Sequence, residues 1–428
     1  MLNISITEFE VKIEIPVTEK NRFTIGKFYS EFLNIIGKYV QSYKKYTDKL
    51  LIFDFSEVEE IDPLVLPNMI TLGIGLNKLH RSVTRIQNVH GAAAYMLSKT
   101  NFKQITELEK IYSFKDLENE LSEKEKSNYR NCRIFLHYFK FPYKFKFYTE
   151  QNFENNDRCR NELVESIICE LDEYENAEKI KMMINNESAM TNAEFKSYTE
   201  ELDNEVINTI QPIGCERLVQ TGIIFKCIFE NIKNAYMHGL SGCAVMIFAR
   251  PFPKLKKEKI EISISDVGKG IPYSISKKLH KSTFKDTNAF NLRDDLSVED
   301  KAKYNFNYSC ILESIFYRAK QLDKADDNNF GLFDVICSVL EDKDKNTKSD
   351  RRVYIHSDGV RLCLTNIFYE KYLKNCINRK NGKMDMSVAE AILSEKVYSF
   401  KEEYSYVKNT KKFGGAHLEY EFFIDVER

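Results

Sequence analysis

No stretch of this 428-residue chain is apolar over anything near the length of a membrane span, and its start lacks a secretory pattern. These absences lead to the expectation of a cytoplasmic protein with no membrane segment. Charge of one sign is lacking too: 63 Lys and Arg stand against 64 Asp and Glu, a formal net charge of −1. There is no global basic bias toward nucleic acid and no acidic tail, so nucleic acid is not expected as a primary ligand. The ten cysteines contain no C-x-x-C pair, and Cys227 and Cys337 fall in core-like segments. Reduced thiols are expected, rather than a disulfide framework or a zinc site. No internal repeat and no P-loop is present. A hydrophobic content of 43% and a charged content of 30% describe a globular protein, and the length suits two α/β domains with a connector.

Two segments carry the chemistry. In the first, Thr221, Phe225, Ile228, Ile232 and Ala235 recur at steps of four and three, as one buried helix face requires, while Glu230, Asn234 and His238 line another. A carboxylate one turn before a carboxamide offers a water-activating base and a neutral oxygen ligand for a hard cation. Taken singly, Glu230 reads as a surface ion-pair partner of Lys226 or Lys233, and His238 as a helix-end residue. In the second segment, Ile260, Ile262 and Ile264 alternate with Glu261, Ser263 and Ser265, so Asp266 falls on the isoleucine side and points inward. A buried carboxylate needs a donor, and an adenine amino group is one. Gly268 and Gly270 let backbone approach a ligand closely.

The order and spacing of Glu230-Asn231-Ile232-Lys233-Asn234-Ala235 and Asp266-Val267-Gly268-Lys269-Gly270-Ile271 resemble the N box and first glycine box of the GHKL superfamily. That superfamily includes gyrase-type, chaperone and mismatch-repair ATPases, histidine kinases and anti-sigma factor kinases. Asp327 to Val335, with Gly331-Leu332 opening a helix, resembles the second glycine box, whose helix N-terminus faces phosphates. Val353 to Ser357 and Phe413 to Leu418 resemble the closing strands. The resemblance covers roughly the last half of the chain and implies a Bergerat fold binding ATP and Mg²⁺. It assigns Glu230 to water activation and Asn234 to Mg²⁺. Asp266 falls to adenine, and Asn231, Gly268, Gly270, Ile271, Gly331 and Leu332 to the rest of the nucleotide site. Two positions depart from the pattern: only Gly331 remains of the glycines in the second box, and Ala416 stands where a threonine commonly supports the adenine site. Sensor histidine kinases usually have asparagine where this chain has Glu230, and His80 lacks the context of a phosphoacceptor.

Near the start, Lys49 to Ser56 reads as a buried strand, followed by Val58 to Asp62 and a helix carrying Leu64, Leu66, Met69, Ile70, Leu72 and Leu76. This resembles a STAS domain, but Asp62 is followed by Pro63 and Leu64 in place of the usual phosphoacceptor serine. The expected α/β organisation is therefore a STAS-like domain at 1–112, a mixed helical connector at 113–210 and a Bergerat-fold α/β sandwich at 211–428. The last has an inserted helical lid at 273–330, with a helix over Ile311 to Leu322, and a second insertion at 366–412. In the connector, Phe139 to Phe147 interleaves aromatic and basic residues, and strict alternation favours a strand with one buried face over a single-stranded nucleic-acid surface. The chain is expected to be an ATP-hydrolysing regulatory switch acting through a protein partner. A serine/threonine protein kinase and a non-hydrolysing ATP sensor or scaffold stay open, as does a homodimer.

Overall fold

The computed structural model describes residues 4–42, 49–80, 85–98, 100, 132–139, 204, 222–235, 239, 241–268, 270–278, 307–316, 331–341, 350–376, 384–393, 405–409 and 413–425. Over these residues the chain is α/β. Its N-terminal unit is built on a four-stranded sheet of β1 (Ile4–Ile6), β2 (Glu10–Glu14), β4 (Leu50–Asp54) and β6 (Arg85–Gln87), in that spatial order. β1 and β2 form an antiparallel hairpin, whereas β2, β4 and β6 run parallel. β4 is buried from Leu51 onward, as a central parallel strand covered on both faces must be. It ends on Asp54, whose buried carboxylate takes the Lys12 ammonium at 2.6 Å and the Asn88 amide at 2.7 Å.

Two short strands, β3 (Arg22–Phe23) and β5 (Glu60–Ile61), pair in parallel beside this sheet. A helical stretch follows β3: α1 (Ile25–Lys27), a π-helical turn (Phe28–Phe32) and α2 (Leu33–Ser42). Its start is capped by the Thr24 hydroxyl, which accepts from the Lys27 amide. The helices α3 (Val65–His80) and α4 (Gly91–Ser98) complete the unit. Asp62 joins α1 to α3 by accepting from the amides of Ile25, at 3.2 Å, and Leu64, at 3.1 Å. Every residue from Val65 to Leu72 is buried, so α3 is covered all round.

A second, seven-stranded sheet has the order β12 (Ser405–Asn409), β11 (Val360–Thr365), β10 (Arg352–Ser357), β13 (Ala416–Asp425), β9 (Lys257–Asp266), β8 (Cys243–Phe252) and β7 (Arg133–Phe139). Each neighbouring pair is antiparallel. β8 and β9 meet at a tip containing Pro253–Leu255 and a left-handed Lys256. β10 and β11 are joined by Asp358 and Gly359 at φ 50° and 84°. Positive φ at both central residues is the twist-matched two-residue hairpin turn that Asp-Gly favours.

One face of this sheet presents Phe135, Phe139, Val245, Ile247, Ala249, Ile260, Ile262 and Ile264 to a core shared with α5 (Ile223–Asn234), α7 (residues 307–316) and α8 (Leu332–Leu340). The opposite face presents Leu136, Ala244, Met246 and Phe248 to the core of the N-terminal unit, where α3 packs on β8 and β9. The two units are therefore continuous through a sheet that is buried on both sides.

Three of the expected segments gain definite elements in the structure. Within the expected mixed connector at 113–210, Arg133–Phe139 forms the edge strand β7 of the large sheet. With Phe135 and Phe139 in one core and Leu136 in the other, β7 is covered on both faces and carries no alternation of polar and apolar residues to mark it. Phe139 is the last residue of β7, and the rest of the aromatic and basic run lies outside the described residues. The expected insertion at 366–412 contributes to the large sheet and its core. It supplies the other edge strand, β12, and two helices, α9 (Asn366–Lys371) and α10 (Met386–Leu393). Phe368, Leu373, Cys376, Ala389 and Ile392 of this segment enter the main core. Within the expected lid, α6 (Ile271–Lys278) is followed by α7, which starts four residues before Ile311 and buries Tyr308, Ile311, Leu312, Ile315 and Phe316; residues 317–322 lie outside the described set. No helix among the described residues is long and apolar enough to cross a membrane.

Candidate functional site

α5 buries Ile224, Cys227, Ile228, Ile232 and Ala235 against the sheet. Glu230 and Asn234 follow one another at one turn's spacing, Glu230 only 8% exposed and Asn234 half-buried. Asn231 lies 3% exposed, and its amide donates to the Cys227 carbonyl and to the Tyr420 hydroxyl of β13 at 2.7 Å. Its donors thus tie α5 to the sheet, a structural use that the sequence reading did not foresee.

Asp266 closes β9 on the same face as Ile264 and is 5% exposed. One carboxylate oxygen accepts the Gly268 amide at 2.7 Å, and the other accepts the Ala416 amide at 3.2 Å. Burial pushes its pKa up to about 7, against the opposing pull of those two backbone bonds. Glycine backbone surrounds it. A Cβ on Gly268 would lie 2.3 Å from the Gly239 carbonyl oxygen, just beyond α5, and one on Gly415 would lie 2.1 Å from the carbonyl oxygen of Asp266 itself. Gly415 also has φ +91°, so no side chain fits there by space or by conformation. The result is a carboxylate in a cradle of bare backbone.

Ser357, at the end of β10, fastens this cradle to α6. Its hydroxyl accepts from the Ile271 amide at 2.9 Å and donates to the Gly415 carbonyl at 2.8 Å. Gly270 has φ +78°, and a Cβ there would stand 2.8 Å from the Ser357 oxygen. Gly331 precedes α8 at φ 62° and ψ −125°, and the first turn of α8 carries Asp334, a negative charge at the helix end expected to face phosphates. α8 packs against α5, β10 and β13.

The structure therefore gathers Asp266, Gly268, Gly270 and Ile271 around one loop cluster. It sets Glu230 and Asn234 on a helix against the same face of the sheet, with Gly331 and Leu332 at the start of the neighbouring helix. Sequence reasoning missed Gly239, Ser357 and Gly415 as parts of the cradle. The signal for Gly415 was its place in the Gly414-Gly415 pair between segments of strand character; nothing local marks Ser357. Among the described residues no group of three or more His, Cys, Asp or Glu side chains stands ready for a metal ion. Comparisons with protein-family models, curated proteins and solved structures find no match for this chain.

Proposed function

We propose that this protein binds an adenine nucleotide with Mg²⁺ at the Asp266 cradle and hydrolyses it, as a switch read by a protein partner in the cytoplasm. The observation that carries the reading is a nearly inaccessible carboxylate flanked by Gly268 and Gly415, at which no Cβ can stand. The exocyclic amino group of a flat heteroaromatic base is a donor that suits the acceptor-only carboxylate of Asp266, and glycine backbone next to it lets a ligand approach without a side chain in the way. Asn234 offers a neutral oxygen of the kind a hard cation takes alongside phosphate oxygens and water. Bound Mg²⁺ would supply neutralisation of the charge that develops on the phosphate oxygens.

Glu230 would accept a proton from the attacking water, while Gly331 and the first amides of α8 receive phosphate oxygens. The finer fold assignment belongs to the same reading. A helix–strand–strand–loop–helix order from α5 to α8 is what a Bergerat fold offers, and a small mixed sheet with α3 entering after Asp62 is what a STAS-like unit offers. The position of α3 bears on the kinase alternative. Leu64, in the phosphoacceptor region of the STAS resemblance, is 2% exposed, and its carbonyl accepts from the Ser263 hydroxyl at 3.0 Å on the sheet face opposite to Asp266. Phosphate transfer to that segment within one chain is thus disfavoured.

Labelled ATP tests the reading. Free phosphate should appear with the wild type and fall by about a hundredfold or more with Glu230→Ala, whose nucleotide binding should persist, because general-base assistance contributes factors of 10² to 10⁴. Label on a serine of a co-purified partner, lost with Glu230→Ala, would move the assignment to a kinase. Tight binding with neither product would leave a sensor.

A further inference from the structure

The outer face of the large sheet carries polar side chains that the proposed reaction does not use, and several of them form one line. Thr71 of α3 lies 2.7 Å from the hydroxyl oxygen of Ser265 on β9, and Ser265 lies 2.6 Å from Nδ1 of His417 on β13. His417 Nε2 lies 2.9 Å from the Gly414 carbonyl. Thr71, Ser265 and His417 are all fully buried.

The direction of each bond follows from chemistry. A carbonyl only accepts, so His417 Nε2 carries a proton. Burial holds the ring neutral by pushing its pKa down to about 3, so Nδ1 is an acceptor and takes the Ser265 proton. Ser265 then accepts from Thr71. The Thr71 hydroxyl also has the carbonyls of Pro67 at 3.1 Å and Asn68 at 3.2 Å within reach, but Ser265 is nearest. A second tie runs alongside. The Phe413 ring stacks on His417 at 4.0 Å and 1°, and meets Phe28 of the N-terminal unit at 5.6 Å. The loop held by both ties is the one whose Gly415 covers the Asp266 backbone and whose Ala416 amide bonds its carboxylate.

We propose that Thr71, Ser265 and His417 are positioning residues through which the docked N-terminal unit holds the Gly414–Ala416 loop in register with Asp266, and so sets the affinity and base preference of the nucleotide site. The consequence for nucleotide rests on the adenine reading of Asp266; the positioning itself does not.

Amide hydrogen exchange over residues 413–418 in nucleotide-free protein reads the positioning directly. Thr71→Val and Ser265→Ala should each speed exchange of the Ala416 amide by about threefold or more, the double variant should add little, and Thr71→Ser should stay at the wild-type rate, because one chain of bonds is cut in each case. Calorimetry reads the consequence. The same two variants should lose about threefold to tenfold in ATP affinity while GTP affinity changes less, since the lost contact serves the base-reading carboxylate. Unchanged exchange in both folded variants overturns the proposal. Equal loss of ATP and GTP together with a lowered melting temperature also overturns it, by reducing these residues to scaffolding. If exchange rises as expected but the wild type binds no ATP, the positioning stands and the nucleotide reading falls.

Discussion

At the scale of single residues, the proposed nucleotide reading turns on Asp266. Its carboxyl is raised from 3.8 to about 7, so near neutrality it is close to half ionised without ligand. An adenine amino group donates far more strongly to the ionised form, hence under the proposed reading nucleotide affinity should rise with pH through this range. With a pKa of about 7, affinity at pH 6 should be about tenfold below that at pH 8. Asp266→Asn should lose on the order of tenfold to a hundredfold in affinity at pH 8 and should flatten this dependence, because the amide does not titrate and one of its faces opposes a backbone N–H. The phosphates titrate in both proteins, so calorimetry on the pair isolates the carboxyl; parallel pH profiles would exclude Asp266 as the base-reading group. The same shift has a stability sign. A carboxyl raised on folding contributes stability that is full below its unfolded value of 3.8 and is lost as pH climbs to about 7. Asp62, raised to about 6 by burial and by the neighbouring charge of Glu261, acts in the same direction over a narrower window.

At the scale of elements, the sequence exposed some faces and hid others. The alternation of Ile260, Ile262 and Ile264 with Ser263 and Ser265 revealed β9 and the inward aim of Asp266, because period two is visible whenever the two faces differ in polarity. The burial of the serine face was not legible from β9 alone: Ser263 and Ser265 would look the same under water as under α3. The cover became visible only in the structure, where every residue from Val65 to Leu72 is buried, Asn68 and Thr71 included. β7 escaped for the converse reason, being apolar toward two cores. The structural tie made by Asn231 was hidden because its partner Tyr420 lies 189 residues away. The segment 366–412 read as an interruption since its core residues contact elements distant in sequence. Its integration is testable: Phe368→Ala should cost about 3–5 kcal/mol, the usual range for emptying a buried phenylalanine site. Urea unfolding followed by circular dichroism would show this as a lowered midpoint, and a midpoint equal to wild type would mean that α9 is peripheral after all.

At the scale of the whole molecule, the N-terminal unit and the large sheet share a core. Leu136, Met246, Phe248 and Phe413 are buried against the N-terminal side. At about 1.5–3 kcal/mol for each large apolar side chain, their exposure would cost about 6–12 kcal/mol, comparable with the entire stability of a typical domain. Residues 132–428 produced without the N-terminal unit should therefore aggregate or bind a hydrophobic dye strongly, and co-production with residues 1–131 should restore a monodisperse species on gel filtration. A soluble, cooperatively folding 132–428 fragment would show that the seam is dispensable. That seam is also polar. Tyr29 of the N-terminal unit donates to Glu419 at 2.9 Å, and Arg361 donates to the same carboxylate at 2.9 Å while lying over the Tyr29 ring. Removing one member of this buried group would leave the others without their partner inside the seam, a costly outcome for a buried charge.

The position of β13 has a consequence for the order of assembly. Among the described strands it comes last along the chain, yet it lies between β9 and β10 and joins β7-β8-β9 to β10-β11-β12. Without β13 the sheet divides into two half-sheets, β7-β8-β9 and β10-β11-β12, each left with a bare edge of unpaired backbone groups open to strand capture by another chain. Insertion also delivers the Ala416 amide to Asp266, so the cradle comes into being only at that step. A ligand of the cradle therefore finds nothing to hold in the half-assembled protein. It would slow unfolding without hastening folding, and protection of the nascent chain during that interval falls to whatever covers the two open edges.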